Sequence, residues 1–307
     1  PVRVLALRSL LRRHGTDLAV GVTTLPAVKL LLASAGLRLS TVVSERNYPP
    51  AKPPSLPWRL LRRLTYPWAD LHMVQTRPTA EWLRQHCGVH RQLLLPNPVI
   101  WPLPDREPRV TPDDCLPPGA PLILAAGTKA HQKGFDRLIP VFAELVKHQP
   151  HLHLALLGLA PGRYHGSDQQ AELRALLCDA NDLQQRLLLP GVSGTMTSWY
   201  ERATVFVLPS RYEGFPNVLL EAMAAGCACI ASDCLTGPAD LIDHEQNGLL
   251  LSPQASTKHW IEAIESLLLD PDRRRAMGER ATAVRDRYAP ERLRRDCLEA
   301  LRRLRHG

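Results

Sequence analysis

The chain has 307 residues, 45% hydrophobic and 22% charged, which excludes an intrinsically disordered polymer and is long enough for two cored domains. Its net charge of +8 is unevenly placed: residues 1–110 carry 16 basic and 6 acidic side chains, 111–270 carry 10 and 18, and 271–307 carry 12 and 6. A basic first segment suits an anionic partner such as a membrane leaflet or a phosphorylated acceptor, while 5% aromatics and no helix-turn-helix, zinc-finger or RNP signature argue against nucleic acid.

The seven cysteines show no paired zinc-ligand spacing, and a reducing cytoplasm fits them. No apolar run approaches the roughly 20 residues of a spanning helix, and no signal peptide is visible. The expected location is therefore cytoplasmic, with peripheral contact at the inner membrane face. The chain begins with Pro1 rather than Met, so an N-terminal piece is expected to be missing.

In chain order, short apolar runs alternate with helical patterns: DLAVGV (17–22), LSTVVSE (39–45), LHMVQT (71–76), LILAAG (122–127), HLALLG (153–158), RLLLPG (186–191), VFVLPS (205–210), CIASD (229–233) and GLLLS (248–252). LLLPNPV (93–99) is a further candidate. This rhythm predicts parallel sheets covered by helices. The proline cluster NYPPAKPPSLP (47–57) suits neither helix nor central strand and predicts a long exposed loop bordering a site. In PWRLLRRLTYPW (57–68), Arg59, Arg62 and Arg63 lie beside Leu60, Leu61 and Leu64 between two tryptophans. Two readings fit: contact with a membrane surface, or core packing of the leucines with the arginines solvated.

The proline-rich stretch 97–119 coincides with the switch from basic to acidic composition and marks a linker. The expected domains are 1–110, 111–288 and a C-terminal amphipathic helix within 289–307, opened by Pro290, with Leu293, Cys297, Leu301 and Leu304 at helical spacing and a return to the first domain. His151 and His153 read as features of a strand edge rather than metal ligands, and no metal is expected.

RYEGFPNVLLEAMAAG (211–226) carries two acids eight positions apart. Glu213 falls in the loop after a strand, and Glu221 on a helix predicted from Val218 to Ala225, capped by Asn217 and stopped by Gly226. Eight helical residues rise about 12 Å, too far for a glycosidase carboxylate pair, so the two acids suit opposite ends of one extended ligand. A nucleotide sugar has that shape, and a helix N-terminus suits its diphosphate.

These residues, with IASDCLTGPADLI (230–242), NGLLL (247–251) and AAGTKAHQKGFDRLI (125–139), resemble the retaining GT-B glycosyltransferases of the family 4 type over about residues 85–290. The resemblance implies an α/β GT-B fold of two Rossmann-like domains with a cleft between them. It also implies transfer of a hexose-type unit from a nucleotide diphosphate sugar to a glycan or lipid-linked acceptor in cell-surface polysaccharide assembly. No resident cofactor is implied, the nucleotide sugar being substrate. Catalytic roles fall on Glu213 and Lys133. The donor site comprises Gly127, Thr128, Lys129, Lys133, Glu213, Gly214, Phe215, Pro216, Asn217 and Glu221, the last holding the ribose.

Thr128 stands where relatives usually carry an arginine, with Lys129 a poor replacement because it lacks the planar fork. Glu45 and Arg46 are acceptor-side candidates, or else a structural ion pair at a strand end. The front of the first domain looks truncated, without the opening strand and glycine loop normal to GT-B proteins. Rival readings are a phosphorylase or epimerase on the same fold, and a catalytically impaired relative that binds a nucleotide sugar or a protein partner.

Overall fold

The computed structural model of the chain describes residues 2–51, 53–162, 166–177 and 181–305. Among the described residues, ten strands form two parallel sheets. The first sheet runs β1 (Leu18–Val22), β2 (Ser40–Glu45), β3 (Leu71–Val74) and β4 (Gln92–Leu94) in that spatial order. The second contains β5 (Leu122–Ala126), β6 (His153–Leu157), β7 (Leu187–Gly191), β8 (Val205–Leu208), β9 (Cys229–Ser232) and β10 (Leu249–Leu251), ordered β10-β9-β8-β5-β6-β7. The nine principal apolar runs of the sequence are strands displaced by at most one or two residues at their ends, whereas of LLLPNPV (93–99) only Leu93 and Leu94 enter β4.

Strand period explains why the runs are apolar throughout. All five residues of β5 are buried, Leu122, Leu124 and Ala126 entering one hydrophobic cluster and Ile123 and Ala125 another on the opposite face. In β2, Val42 and Val43 divide between two clusters in the same way. In the second sheet the order reverses at β5, whose two neighbours are β6 and β8. Crevices outside the C-terminal ends of strands at such a reversal are where open α/β sheets place ligands.

The linker from Asn97 to Pro121 is irregular apart from one short turn of helix at Pro112–Asp114. The helix Pro290–Arg305 then crosses back to the first sheet, setting Cys297, Ala300, Leu301 and Leu304 against Val42, Leu71 and Met73. The linker backbone meets that crossing where Val99 N–H donates to the Tyr288 carbonyl at 3.0 Å. The proline loop is a correction to the sequence reading. The correction covers only its start: Asn47 and Tyr48 are half-buried and Pro49 is buried, packed toward the second sheet's loops, whereas Pro50, Pro53, Ser55, Leu56 and Pro57 stand exposed as expected. Helix begins at Leu56, with Pro57 in its first turn.

His72 lies within β3, 1% exposed, its ring 5.1 Å from that of Tyr66 and its Nε2 without a hydrogen-bond partner. Burial lowers its pKa from 6.5 to about 4, because the charged imidazolium would lose its hydration there. The unfolded chain therefore takes up a proton near pH 6.5 while the folded chain does not until near pH 4, so stability falls as pH drops through that window. The expected loss is roughly 3 kcal/mol at the acid end. Urea midpoints measured between pH 7.5 and 5 should show this slope, and His72→Leu should flatten it.

Candidate functional site

β5 and β8 are neighbours, and the loops leaving their C-terminal ends meet over the reversal point. The loop after β5 carries Gly127, Thr128 and Lys129 into a single turn of helix, Ala130–Lys133, closed by Gly134. Gly134 has φ +71°, the left-handed conformation that ends a helix, and a Cβ there would fall 2.0 Å from the Pro209 carbonyl oxygen. A glycine is thus required for the β5 loop to lie directly on the strand exit at Pro209. The stem of Lys133 crosses Gly127 so closely that a Cβ at 127 would lie 2.6 Å from Lys133 Cγ. Two glycines lay the lysine down along the end of the sheet.

Lys133 Nζ consequently donates to Glu213 Oε1 at 2.7 Å, and Ser210 Oγ donates to the same oxygen at 2.6 Å. Glu213 is 4% exposed and Lys133 half-buried. From behind, Thr236 Oγ1 donates to the backbone carbonyl of Glu213, fixing the loop. The loop is further tied by Arg211, whose guanidinium grips Asp136 through two bonds of 2.7 and 2.6 Å and also donates to the His131 carbonyl. Gln132 Nε2 donates to the Tyr212 carbonyl at 3.2 Å.

Glu221 sits on the helix Asn217–Ala224 and accepts a 2.9 Å bond from Tyr200 Oη. Burial raises its pKa above the ordinary 4.5, opposed by that hydrogen bond and by the positive charge of Lys133. The same burial, with Glu221 beside it, pushes the Tyr200 hydroxyl far up, so the phenol remains a donor. One ammonium thus acts on both acids, by direct contact with Glu213 and at longer range on Glu221.

The remaining sequence candidates are distributed as follows. Gly214 lies against the first sheet's loop, where an added Cβ would meet the Arg46 carbonyl oxygen at 3.0 Å. Phe215 is 8% exposed and turns inward, its ring tilted against Tyr288, so only its backbone borders the cleft loop. The expected cap is corrected: Pro216 occupies the N-cap position, and the Asn217 side chain instead accepts from Asn97 Nδ2 at 2.6 Å across the two halves. Thr128 and Lys129 are exposed at the rim.

Arg46 reaches the same junction and donates to Asn97 Oδ1. Glu45 turns the other way. It is 1% exposed and accepts from Tyr66 Oη at 2.8 Å and Thr24 Oγ1 at 3.1 Å inside the first half, its pKa raised by burial. That placement brings Arg46, but not Glu45, to the cleft. Asn47, Tyr48, Ala51, Gln132, Tyr212, Glu213 and Gly214 line one crevice between the halves.

Ser210, Thr236, Tyr200 and Asn97 escaped the sequence reading. Ser210 closes the strand run VFVLPS and was available to notice, whereas Tyr200 and Asn97 reach the site only through the fold. Among the described residues no cluster of three His, Cys, Asp or Glu is arranged to hold a metal.

The family described as glycosyl transferases group 1 matches residues 113–284. An exopolysaccharide phosphotransferase of Streptomyces coelicolor is 31% identical over 288 residues, covering 92% of this chain and 28% of that protein. An N-acetylgalactosamine-N,N'-diacetylbacillosaminyl-diphospho-undecaprenol 4-alpha-N-acetylgalactosaminyltransferase of Campylobacter jejuni is 26% identical over 249 residues, 80% of this chain and 64% of that one. The chain therefore spans less than two thirds of either curated relative. Among solved structures, Anabaena HepE in complex with UDP superposes with a TM-score of 0.81 at 17% identity, covering 97% of this chain and 81% of that one. That likeness establishes the GT-B fold.

Two substitutions test the site's construction. Gly134→Ala forces both a clash and a strained φ, and should cost roughly 3 kcal/mol in urea unfolding. Glu221→Gln should act oppositely. Because the folded carboxyl holds its proton above pH 4.5 while the unfolded one releases it, the native chain loses stability as pH rises through that window. The glutamine variant should lack this loss and melt higher at neutral pH in a thermal scan.

Proposed function

The chain belongs to the glycosyl transferases group 1, and on that footing we propose that it moves a hexose-type sugar from a nucleotide diphosphate sugar to an acceptor hydroxyl with retention of configuration. The acceptor is a glycan or a lipid-linked sugar in cell-surface polysaccharide assembly, met at the cytoplasmic membrane face. One observation carries the reading: a lysine and a buried glutamate, 2.7 Å apart, at the C-terminal strand ends where the sheet order reverses.

In this reading Glu213 takes hydroxyl hydrogens of the donor sugar, since a carboxylate accepts several bonds in fixed directions. Glu221 takes the ribose at the other end. Lys133 neutralises the diphosphate between them, aided by backbone N–H groups of the Gly214–Asn217 turn and Lys129 at the rim. The bond from the anomeric carbon to the diphosphate oxygen breaks, a bond from that carbon to the acceptor oxygen forms on the same face, and the acceptor proton passes to the departing diphosphate. Charge grows on the leaving group, which is where the ammonium lies. In this reading Tyr48, which shares the crevice with Glu213, and Arg46, at the neighbouring Asn97 junction, take the acceptor side.

The name of the Streptomyces relative favours a second reading, transfer of a sugar phosphate. The two differ in product: glycosyl transfer releases a nucleoside diphosphate, sugar-phosphate transfer a nucleoside monophosphate. Separating the nucleotides by ion exchange after turnover decides between them. Donor binding without release of either would favour a non-catalytic relative.

Lys133→Ala and Glu213→Gln should each lower kcat by a hundredfold or more, corresponding to about 3 kcal/mol of lost transition-state stabilisation. Their stabilities should differ. Lys133→Ala leaves a buried carboxylate with Ser210 as its remaining partner and should cost roughly 3 kcal/mol in folding, whereas Glu213→Gln retains hydrogen bonding and should cost less. Normal transfer rates in both variants would overturn the assignment.

A further inference from the structure

The helix Leu56–Thr65 is built inside out. Arg62 is 4% exposed, with Nε and Nη1 lacking hydrogen-bond partners among the described residues and its guanidinium 4.7 Å from the Trp82 ring centre. Leu56, Leu60 and Leu64 are 63%, 55% and 65% exposed, and Trp68 in the following turn is 54% exposed. Spacing of four residues stacks the leucines on one face, continued by the tryptophan. This settles the core-packing alternative against Leu60 and Leu64: Trp58, Leu61, Arg62 and Thr65 face the interior.

Arg59 and Arg63 are exposed on the same side of the helix, one position before Leu60 and Leu64. Lys29 lies over the Trp58 ring at 5.6 Å. From Arg46 to Ala69 the chain has five basic residues and no acidic one. A face meant for water would not carry three leucines and a tryptophan, and one meant for an ordinary protein core would not be edged by arginines without a facing acid. Leucines that sink below the headgroups, with arginines held at phosphate level, satisfy both features.

We propose that the helix Leu56–Thr65, with Trp68, docks on an anionic lipid surface. The geometry places this contact close to the chemistry, because Asn47, Tyr48 and Ala51 of the preceding loop line the crevice with Glu213. A docked helix holds the acceptor side of the cleft near the bilayer, where a lipid-linked acceptor would be presented. This deepens the membrane placement of the proposed function but does not depend on turnover.

The test is co-sedimentation of the purified chain with phosphatidylglycerol-phosphatidylethanolamine vesicles and with pure phosphatidylcholine vesicles, at low and high salt. The expected result is binding to the anionic vesicles that weakens with salt, a loss of roughly tenfold or more in Leu60→Ser/Leu64→Ser, and a comparable loss in Arg59→Gln/Arg63→Gln. All four positions are exposed, so melting temperatures should stay near that of the parent and exclude misfolding as the cause. Equal binding by parent and leucine variant would overturn the proposal. So would a parent that ignores vesicles but forms a dimer, in sedimentation velocity, that the leucine variant disperses. Donor turnover on a soluble acceptor, measured in parallel, isolates a failure of the cleft assignment from a failure of docking.

Discussion

The candidate site depends on the ion pair between Lys133 and Glu213, and that pair depends on backbone rather than on side-chain choice. A charged couple this little exposed gains by mutual attraction only when the geometry is tight and spare lone pairs are met. Gly127 and Gly134 supply the tightness by letting the lysine lie along the sheet end and its loop rest on Pro209. Ser210 and Thr236 hold the glutamate side chain and its carbonyl. The arrangement keeps a concentrated positive charge beside a carboxylate whose free lone pairs can still accept donors. Preorganisation of this kind is what electrostatic catalysis demands, since groups already in place need not move as charge develops.

The same economy ties the two halves together. The final helix is part of the first sheet's core, although more than 180 residues of chain intervene between them. The linker is pinned at Tyr288 beside that crossing, and Asn97 links Arg46 of one half to Asn217 of the other. The halves thus meet through polar contacts at Asn97 and through apolar packing of the final helix on the first sheet.

Much of this was legible in the sequence because strands buried on both faces read as continuous apolar runs, and all nine principal runs became strands. Glu213, Glu221 and Lys133 could be named because short motifs keep them near strand ends in the chain. Asn217 was misread as a cap, since a capping residue and a cross-domain hydrogen-bonding residue look alike until the partner 120 positions away is brought near. Glu45 and Arg46 are adjacent in sequence, yet the strand ends at Glu45, which stays buried in the first half, while Arg46 opens the loop that reaches the junction. The sequence did not mark where that strand stops, so which of the two would face the cleft was not legible. The inverted helix at 56–65 was ambiguous for a plainer reason: composition is the same whichever face turns inward.

Where Gly214 meets the Arg46 carbonyl, the halves approach to within the width of a single methyl group, and the Asn97–Asn217 bond clasps them at the same mouth. A sugar nucleotide, the substrate proposed above, would have to part this seam before it could seat. The observed affinity will then reflect the fraction of molecules standing open as much as the contacts finally made, since a binding-competent population below unity weakens apparent binding in proportion. On the proposed reading, loosening the clasp at Asn97 would tighten capture at the expense of the snug enclosure of the bound donor.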